Sequence, residues 1–483
     1  MTGKELWGSI LQKAMEGKLV PQRKEEGTAA ELLKEIRKER AKLVKEGKLK
    51  KTKPLPAVRE EEKPFDIPDS WEWVRLGDIV YNHGQKKPTE KFSYIDIGSI
   101  DNTSQKLNDS EKIIMPEKAP SRARRIVQLG DILYATVRPY LHNMCIVDKT
   151  LSYPPIASTG FAVMATFEGV ERKYLFYFLL SPAFDSYANS NQNAKGVAYP
   201  AINDKALYNA LIPLPPLFEQ HRIVDKLETL KPLVDAYGQA AEELDELNRK
   251  FPGNLKKSLL RQAMEGKLVP QRKEEGTAAE LIKRLASCTD LEPKSRVELN
   301  TSAMDFEIPH TWLWVELNQI VRFVDYRGKT PTKTTKGVFL VTSSNVKRGY
   351  WDFSRKEYIS RKEYEERKER GITEKGDIIF TTEAPMGNCA INELEECSCG
   401  QRLITFKEYE KNTIDLRFLM YSILSPAFQK ELLDNCTGTT AKGIKAAKLK
   451  RLLLPLPPLL EQHRIAKKLE SLLALCDKLQ PED

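Results

Sequence analysis

The sequence contains no apolar run long enough to cross a bilayer. Its N-terminus, MTGKELWGSILQKAM, lacks the basic segment, long apolar stretch and small-residue cleavage site of a secretory leader. Neither a membrane span nor export is expected, which leaves the cytoplasm as the expected compartment. Cysteine is sparse: Cys145, Cys288, Cys389, Cys397, Cys399, Cys436 and Cys476 are an odd number scattered over 483 residues, so a disulfide framework is excluded and reduced thiols are expected. Cys389, Cys397 and Cys399 cluster, but without the paired Cys-x-x-Cys spacing of a zinc site, and no metal is expected. Also missing are Gly-x-Gly-x-x-Gly, a Walker-type phosphate loop, His-Glu-x-x-His and Gly-x-Ser-x-Gly. An amino-methyltransferase needs an Asn-Pro-Pro-Tyr-like turn. The nearest strings, Tyr153-Pro154-Pro155-Ile156 and two PLPPL segments, lack its polar residue and aromatic. Asp131 and Asp377 each follow a glycine and precede an apolar run, so they read as turn residues rather than active-site acids. His221 and His463 sit at matched helix starts and read as exposed or capping groups. No catalytic residue emerges, and no cofactor is expected in this chain.

What is present is enough apolar material for packed cores, 41% hydrophobic residues against 30% charged, in a 55.2 kDa chain too long for one ordinary core. Two or three domains are expected. Lys and Arg number 77 against 68 Asp and Glu, a net charge of +9 that favours a polyanionic partner. The excess is regional: residues 18–53 carry 13 basic and 6 acidic side chains, and residues 321–370 carry 14 and 7.

The strongest signal is that the chain is written twice. Residues 14–32, AMEGKLVPQRKEEGTAAEL, recur unchanged at 263–281, and PLPPLFEQHRI from Pro213 returns as PLPPLLEQHRI from Pro455. Between them, IPDSWEWVRLGDIV from Ile67 matches IPHTWLWVELNQIV from Ile308 at eight of fourteen positions. Leu129-Gly-Asp-Ile-Leu aligns with Lys375-Gly-Asp-Ile-Ile, and Ser181-Pro-Ala-Phe with Ser425-Pro-Ala-Phe, in the same order. A period near 245 residues is far too long for a solenoid and means a repeated domain with a repeated connector. The intervening inserts, roughly 81–128 and 322–374, share little beyond composition.

After each PLPPL the apolar positions step by 4 and 3. They are Ile223, Leu227, Leu230, Val234, Tyr237, Ala241 and Leu244 in one copy, and Ile465, Leu469, Leu472, Cys476 and Leu479 in the other, which predicts a coiled-coil seam. About 35 helical residues from Pro216, roughly 50 Å, are expected, with a kink or break at Pro252-Gly253. The expected fold class is therefore α/β (α+β): two tandem recognition domains with pseudo-two-fold symmetry, joined by long antiparallel coiled-coil helices. The expected segments are 1–50 (N-terminal helical), 51–214 (first recognition domain), 215–300 (central helical spacer), 301–456 (second recognition domain) and 457–483 (C-terminal spacer). The offsets make the N-terminal segment the continuation of the C-terminal helix, so the termini are expected to meet.

Side chains able to bond phosphates or base edges gather in the differing inserts and in loop-like strings. In the first half these are His83, Lys86 and Lys87; Arg122, Arg124 and Arg125; Arg138 and Tyr140; and Asn191, Gln192, Asn193 and Lys195. In the second half they are Arg327, Lys329 and Lys333; Ser344, Asn345, Lys347 and Arg348; and Thr440, Lys442 and Lys445. Gln220, Arg222, Gln462 and Arg464 are expected to fix the helix starts or a partner interface.

These residues together resemble the specificity subunit of type I restriction-modification systems. The duplicated PLPPL-x-EQHRI and AMEGKLVPQ segments, the IP-x-x-W-x-W-V opening of each half and the Gly-Asp-Ile strand of each half carry the resemblance, over essentially the whole chain. It implies two target recognition domains that each read half of a split sequence in double-stranded DNA. It also implies modification (methyltransferase) subunits, two of them, docked on the spacers and transferring a methyl group from S-adenosylmethionine to adenine. A restriction subunit working with ATP and Mg would join them, all cofactors lying on the partners. A self-contained DNA methyltransferase or nuclease and a coiled-coil protein adaptor are the alternative readings.

Overall fold

The computed structural model describes residues 1–190, 193–195, 200–287, 305–326, 330–369, 371–438 and 442–479. The chain divides into two units, Met1–Leu244 and Asp245–Asp483. Each mixes sheets and helices around its own apolar clusters.

The repeated sequence frames become the same structure twice. In the first unit, strand Glu72–Arg75 of the IP-x-x-W-x-W-V segment pairs antiparallel with Leu211–Leu214 of the first PLPPL, placing Trp73 opposite Pro213. In the second, Leu313–Glu316 pairs with Leu453–Leu456, placing Trp314 opposite Pro455. The two ends of each recognition domain are thereby tied at one point. Each unit then carries an antiparallel four-stranded sheet of one topology. Its order is Val80–Tyr81, Phe161–Thr166, Ile132–Ala135, Met144–Ile146 in the first unit and Val321–Asp325, Leu403–Glu408, Ile378–Thr381, Cys389–Ile391 in the second.

A second sheet shows how the inserts differ. Its centre is shared: Phe92–Ile95 lies parallel to Pro155–Ser158 and antiparallel to Lys112–Ile114, while Val338–Val341 lies parallel to Ser398–Cys399 and antiparallel to Tyr358–Ile359. The fourth strand is added on opposite edges. The first unit adds Ala123–Ile126 beside Pro155–Ser158, and the second adds Lys333–Thr334 beside Tyr358–Ile359.

Both copies of AMEGKLVPQRKEEGTAAEL fold alike. A helix ends at a glycine of positive φ, Gly17 or Gly266, and a capping box at Thr28 or Thr277 opens the next helix. The glycine is required by space as well as by φ. A Cβ on Gly17 would lie 2.4 Å from the ring of Pro68, and one on Gly266 2.3 Å from that of Pro309, so the repeat is moulded to the IP-x-x-W segment. Both glutamines of the repeat join this contact to the next helix. Gln22 donates to Glu219 and accepts from Ser70, and Trp71 Nε1 donates to Glu219 at 2.9 Å. Gln271, Thr311, Trp312 and Glu461 repeat the arrangement, with the indole bond at 3.0 Å. Burial pushes both carboxyls up, against the pull of the indole and amide donors. Beside them Arg222 makes a bidentate pair with Glu26 and donates to the Pro21 carbonyl, and Arg464 does the same with Glu275 and Pro270. Gln220 and Gln462 are fully buried, each accepting from the backbone at the start of a domain helix and donating to the carbonyl of the first of the two consecutive prolines before its own helix, Pro215 or Pro457. All four of these residues therefore fix the helix starts.

Helix Leu217–Met264 is 48 residues long, about 70 Å at 1.5 Å per residue, and is continuous through Pro252 and Gly253, where a kink or break was expected, so the chain does not break there. By the repeat offset Pro252 corresponds to Gly3, the first residue of helix Gly3–Met15, and a helix start tolerates proline because its N–H needs no partner. Pro252 is buried, so the packing of its ring offsets the one missing bond. The predicted seam is only half covered. Ile223, Leu227 and Val234 are buried against the antiparallel Gly3–Met15 helix, whose start meets Gly238 backbone to backbone, whereas Tyr237 and Leu244 are exposed because that helix extends no further. In the second unit Ile465, Leu469 and Cys476 are buried and Leu479 is exposed.

Arg222→Ala strands the carboxylate of Glu26 in a mostly buried site. It should destabilise the first unit by about 2–4 kcal/mol, and Arg464→Ala the second by a similar amount. Differential scanning calorimetry checks this: each variant should lower one unfolding transition and leave the other in place.

Candidate nucleic-acid interface

In each unit the loops gather at one end of the antiparallel sheet, opposite the end held by the helix start. Strand Phe161–Thr166 begins at Gly160, and the chain beyond its far end, Gly169 to Glu171, bonds to Gln220. At the Gly160 end, the N–H and hydroxyl of Thr136 both donate to the Gly160 carbonyl, at 2.9 and 3.1 Å, and Thr136 accepts from Ile202 N–H. Thr382 repeats all three bonds with Arg402 and Ile444. Two residues on, Arg138 and Ala384 both adopt the left-handed backbone (φ 51° and 43°) and both precede a proline. Non-glycine residues held there carry a cost of order 1 kcal/mol and gather at functional turns. Bridges Val137 to Ala201 and Glu383 to Gly443 complete the correspondence.

In the first unit this frame collects Lys86, Lys87, Arg122, Arg124, Arg138 and Tyr140. Lys86 N–H donates to the Arg124 carbonyl on the edge strand, and the Arg122 carbonyl accepts from Thr159 N–H, next to Gly160. Lys86, Lys87 and Arg122 are exposed, as is Tyr140, while Arg124 and Arg138 are half-buried. In the second unit the frame collects Ser344, Lys442 and Lys445. Ser343 Oγ donates to the Ala384 carbonyl, Ser344 shares a hydrogen bond with Thr342, and Lys442 and Lys445 are exposed on either side of Gly443 and Ile444.

Several expected contacts have other work. Asn345 is buried and fully engaged, accepting from Thr342 N–H and Oγ1 and donating to the carbonyls of Asp352 and Arg355, so it ties its own loop and is not a reader of bases. Arg125 turns inward to an ion pair with Asp204 at 3.0 Å. Lys333 pairs with Glu357 and Lys347 with Asp352. Arg348 fastens its turn to two consecutive domain helices, through the Leu424 carbonyl at the end of one and Gln429 in the next. Asn193 closes a turn onto the Tyr187 carbonyl, whereas the backbone of Lys195 pairs with Ala201–Ile202 and leaves that residue among the loops. His83 bonds Asp131 at 3.1 Å, at the strand end away from Thr136 and so outside the loop cluster. Asn191, Gln192, Arg327, Lys329 and Thr440 lie outside the described residues.

Asp131 and Asp377 do accept turn N–H groups, from Gln128 and Glu374, as their sequence context suggested. His221 and His463 contact the capping carboxylates Glu171 and Asp415 of domain helices. Among the described residues no group of three or more metal-ligating side chains occurs. Sequence reasoning missed Arg402, exposed at the turn before Leu403–Glu408 and 3.4 Å from Glu383. Its signal was present: the 242-residue offset of the PLPPL repeat aligns it with Gly160, so it is a difference within a matched frame.

Residues 68–245 and 309–481 both match the type I restriction modification DNA specificity domain. The type I restriction enzyme EcoAI specificity subunit of Escherichia coli is 30% identical over 99% of this chain and 90% of its own length. The EcoEI specificity subunit of Escherichia coli is 25% identical over the same shares. The crystal structure of the HsdS subunit from Thermoanaerobacter tengcongensis is similar at a TM-score of 0.51 and 26% identity, over 87% of this chain and 94% of that one.

Asn345→Ala should cost about 1–3 kcal/mol of second-unit stability by leaving two carbonyls, an N–H and a hydroxyl without their amide partner. Limited proteolysis should show faster cutting within 342–355, a result that a solvent-facing DNA contact would not produce.

Proposed function

The chain belongs to the type I restriction modification DNA specificity family, and from that premise we propose how its two loop clusters and its helix starts are used. It is a non-catalytic specificity subunit that recognises a bipartite DNA target through two recognition domains, and methylation and restriction are the work of partner subunits. One observation carries the detailed reading: two units share the Thr136/Thr382 frame bond for bond, yet differ in the edge strand and in the side chains that the frame displays. A constant scaffold with unlike loops is suited to reading two unlike half-sites.

We assign DNA contact in the first unit to Lys86, Lys87, Arg122, Arg124, Arg138 and Tyr140, and in the second to Ser344, Lys442 and Lys445, with Lys195 on a loop strand of the first cluster. Exposed lysines on backbone loops suit phosphates, while the forked guanidinium of a half-buried arginine suits base edges. For the partners, Phe218 and Leu460 support two copies of the modification subunit. They are equivalent residues, one position before Glu219 and Glu461, and both are large, apolar and mostly exposed at a helix start of identical build. A surface displayed twice fits one partner bound twice. S-adenosylmethionine is assigned to those subunits, and ATP and Mg to a restriction subunit. No described helix is long and apolar enough to cross a membrane, and we place the assembly in the cytoplasm with its DNA.

The test is modified-base sequencing of DNA from cells expressing a type I modification subunit with and without this chain. Methyladenine confined to one split motif and dependent on the chain is expected. Methylation by the purified chain alone, or methylation unchanged without it, overturns the assignment. Replacing Lys86, Lys87 and Arg122 with alanine should weaken DNA binding and reduce the slope of log affinity against log salt by up to about 3, roughly one for each phosphate no longer neutralised. The double variant Phe218→Ala, Leu460→Ala should leave the monomer folded and lower the number of modification subunits bound in native mass spectrometry.

A further inference from the structure

The two loop clusters draw their arginine from different places in one frame. In the first unit the left-handed position of the Thr136-Val137-Arg138-Pro139 turn is an arginine, and the facing residue, whose carbonyl accepts both Thr136 donors, is Gly160. In the second unit the left-handed position is Ala384 and the facing residue is Arg402. The backbone does not dictate this exchange. A Cβ added to Gly160 would meet Ser158 Oγ at 3.6 Å and Ile97 Cδ1 at 3.7 Å, which is ordinary contact, and no positive φ holds the residue to glycine. Each cluster thus has one arginine and one small residue at the same two positions, in opposite order.

Arg402 is more than half exposed, and its Nε lies 3.4 Å from Glu383, on the residue before Ala384. A guanidinium gripped from its Nε edge is restrained in direction, and its terminal nitrogen pair is the part that bonds guanine O6 and N7 in the major groove. The described neighbours are small: Ala384 is short, and Gly443 lies across the bridge from Glu383. We propose that Arg402 is a specificity-determining residue of the second unit that reads a guanine, from the position that the first unit leaves as Gly160. This rests on the reading above that the chain directs methylation to a split DNA site.

The experiment compares methylated motifs in cells expressing the modification subunit with the wild-type chain, Arg402→Ala, Arg402→Lys and Gly160→Arg. Arg402→Ala is expected to relax a guanine position in one half-site by about tenfold or more and to leave the other half-site as it was. Arg402→Lys, which keeps the charge but removes the fork, should relax the same base. Gly160→Arg should alter preference only in the other half-site. A wild-type split motif that survives Arg402→Ala unchanged overturns the proposal while leaving the specificity role intact. No motif with the wild-type chain overturns the underlying reading instead. If Arg402→Ala abolishes methylation, two further measurements decide. A lowered thermal midpoint makes Arg402 structural, and restoration of the full motif by Arg402→Lys makes it a plain charge contact, either of which overturns base reading.

Discussion

The rest of each unit depends on a buried carboxylate at the start of a long helix. Glu219 and Glu461 would be costly to bury alone, and each is matched by an indole N–H and a glutamine amide from two different sequence segments. Those donors are far apart in the chain, at 22 and 71 for the carboxylate at 219 in the first unit, so the carboxylate is satisfied only when the N-terminal repeat, the strand that opens the domain and the helix that leaves it are all in place. Burial alone would favour the neutral acid, and the donors oppose that. The site is therefore a three-way latch, and the adjacent Arg222–Glu26 and Arg464–Glu275 pairs hold two of the three segments, the repeat and the helix, a second time.

The latch explains why the frame and the loops can differ so much in their tolerance of change. Strand Phe161–Thr166 connects the two regions: its far end leads to the backbone gripped by Gln220, and its near end opens at Gly160 among the loops. Apolar burial and the latch support the first region. The second is held by backbone bonds from Thr136 and Thr382 that do not depend on the side chain displayed next to them, since carbonyls of glycine and arginine serve equally. Side chains at the loop end can therefore change with little cost to the fold, and even an edge strand can be moved from one side of the sheet to the other.

Much of this was legible because duplication writes the frame out twice. Anything present in both halves in the same order had to be scaffold, which picked out the strands, the helix starts and Gln220, Arg222, Gln462 and Arg464. The loop contacts were less legible, because a polar residue in a turn looks the same in sequence whether it faces solvent or its own backbone. Asn345 is a case: four hydrogen bonds to neighbours within ten residues consume it, and local self-bonding is what asparagine does in turns. Lys333 and Lys347 are likewise drawn to acids, Glu357 and Asp352, that close only through the fold. Pro252 misled for the opposite reason. It records a helix start that the other copy uses at Gly3, whereas here the helix runs through.

The exchange of Arg138 and Gly160 for Ala384 and Arg402 shows what comparing the halves adds beyond reading either alone. Taken singly, Gly160 is an ordinary turn residue and Arg402 an exposed arginine beside an acid, a pair that contributes little to stability at a surface. Superposed through the bonds of Thr136 and Thr382, they become alternatives at one position. The residue facing each is the complementary choice, small where its counterpart is large. A frame that offers two positions for a single guanidinium can direct it at two different places along a base edge without moving the backbone, so two domains of one build can read two unlike sequences.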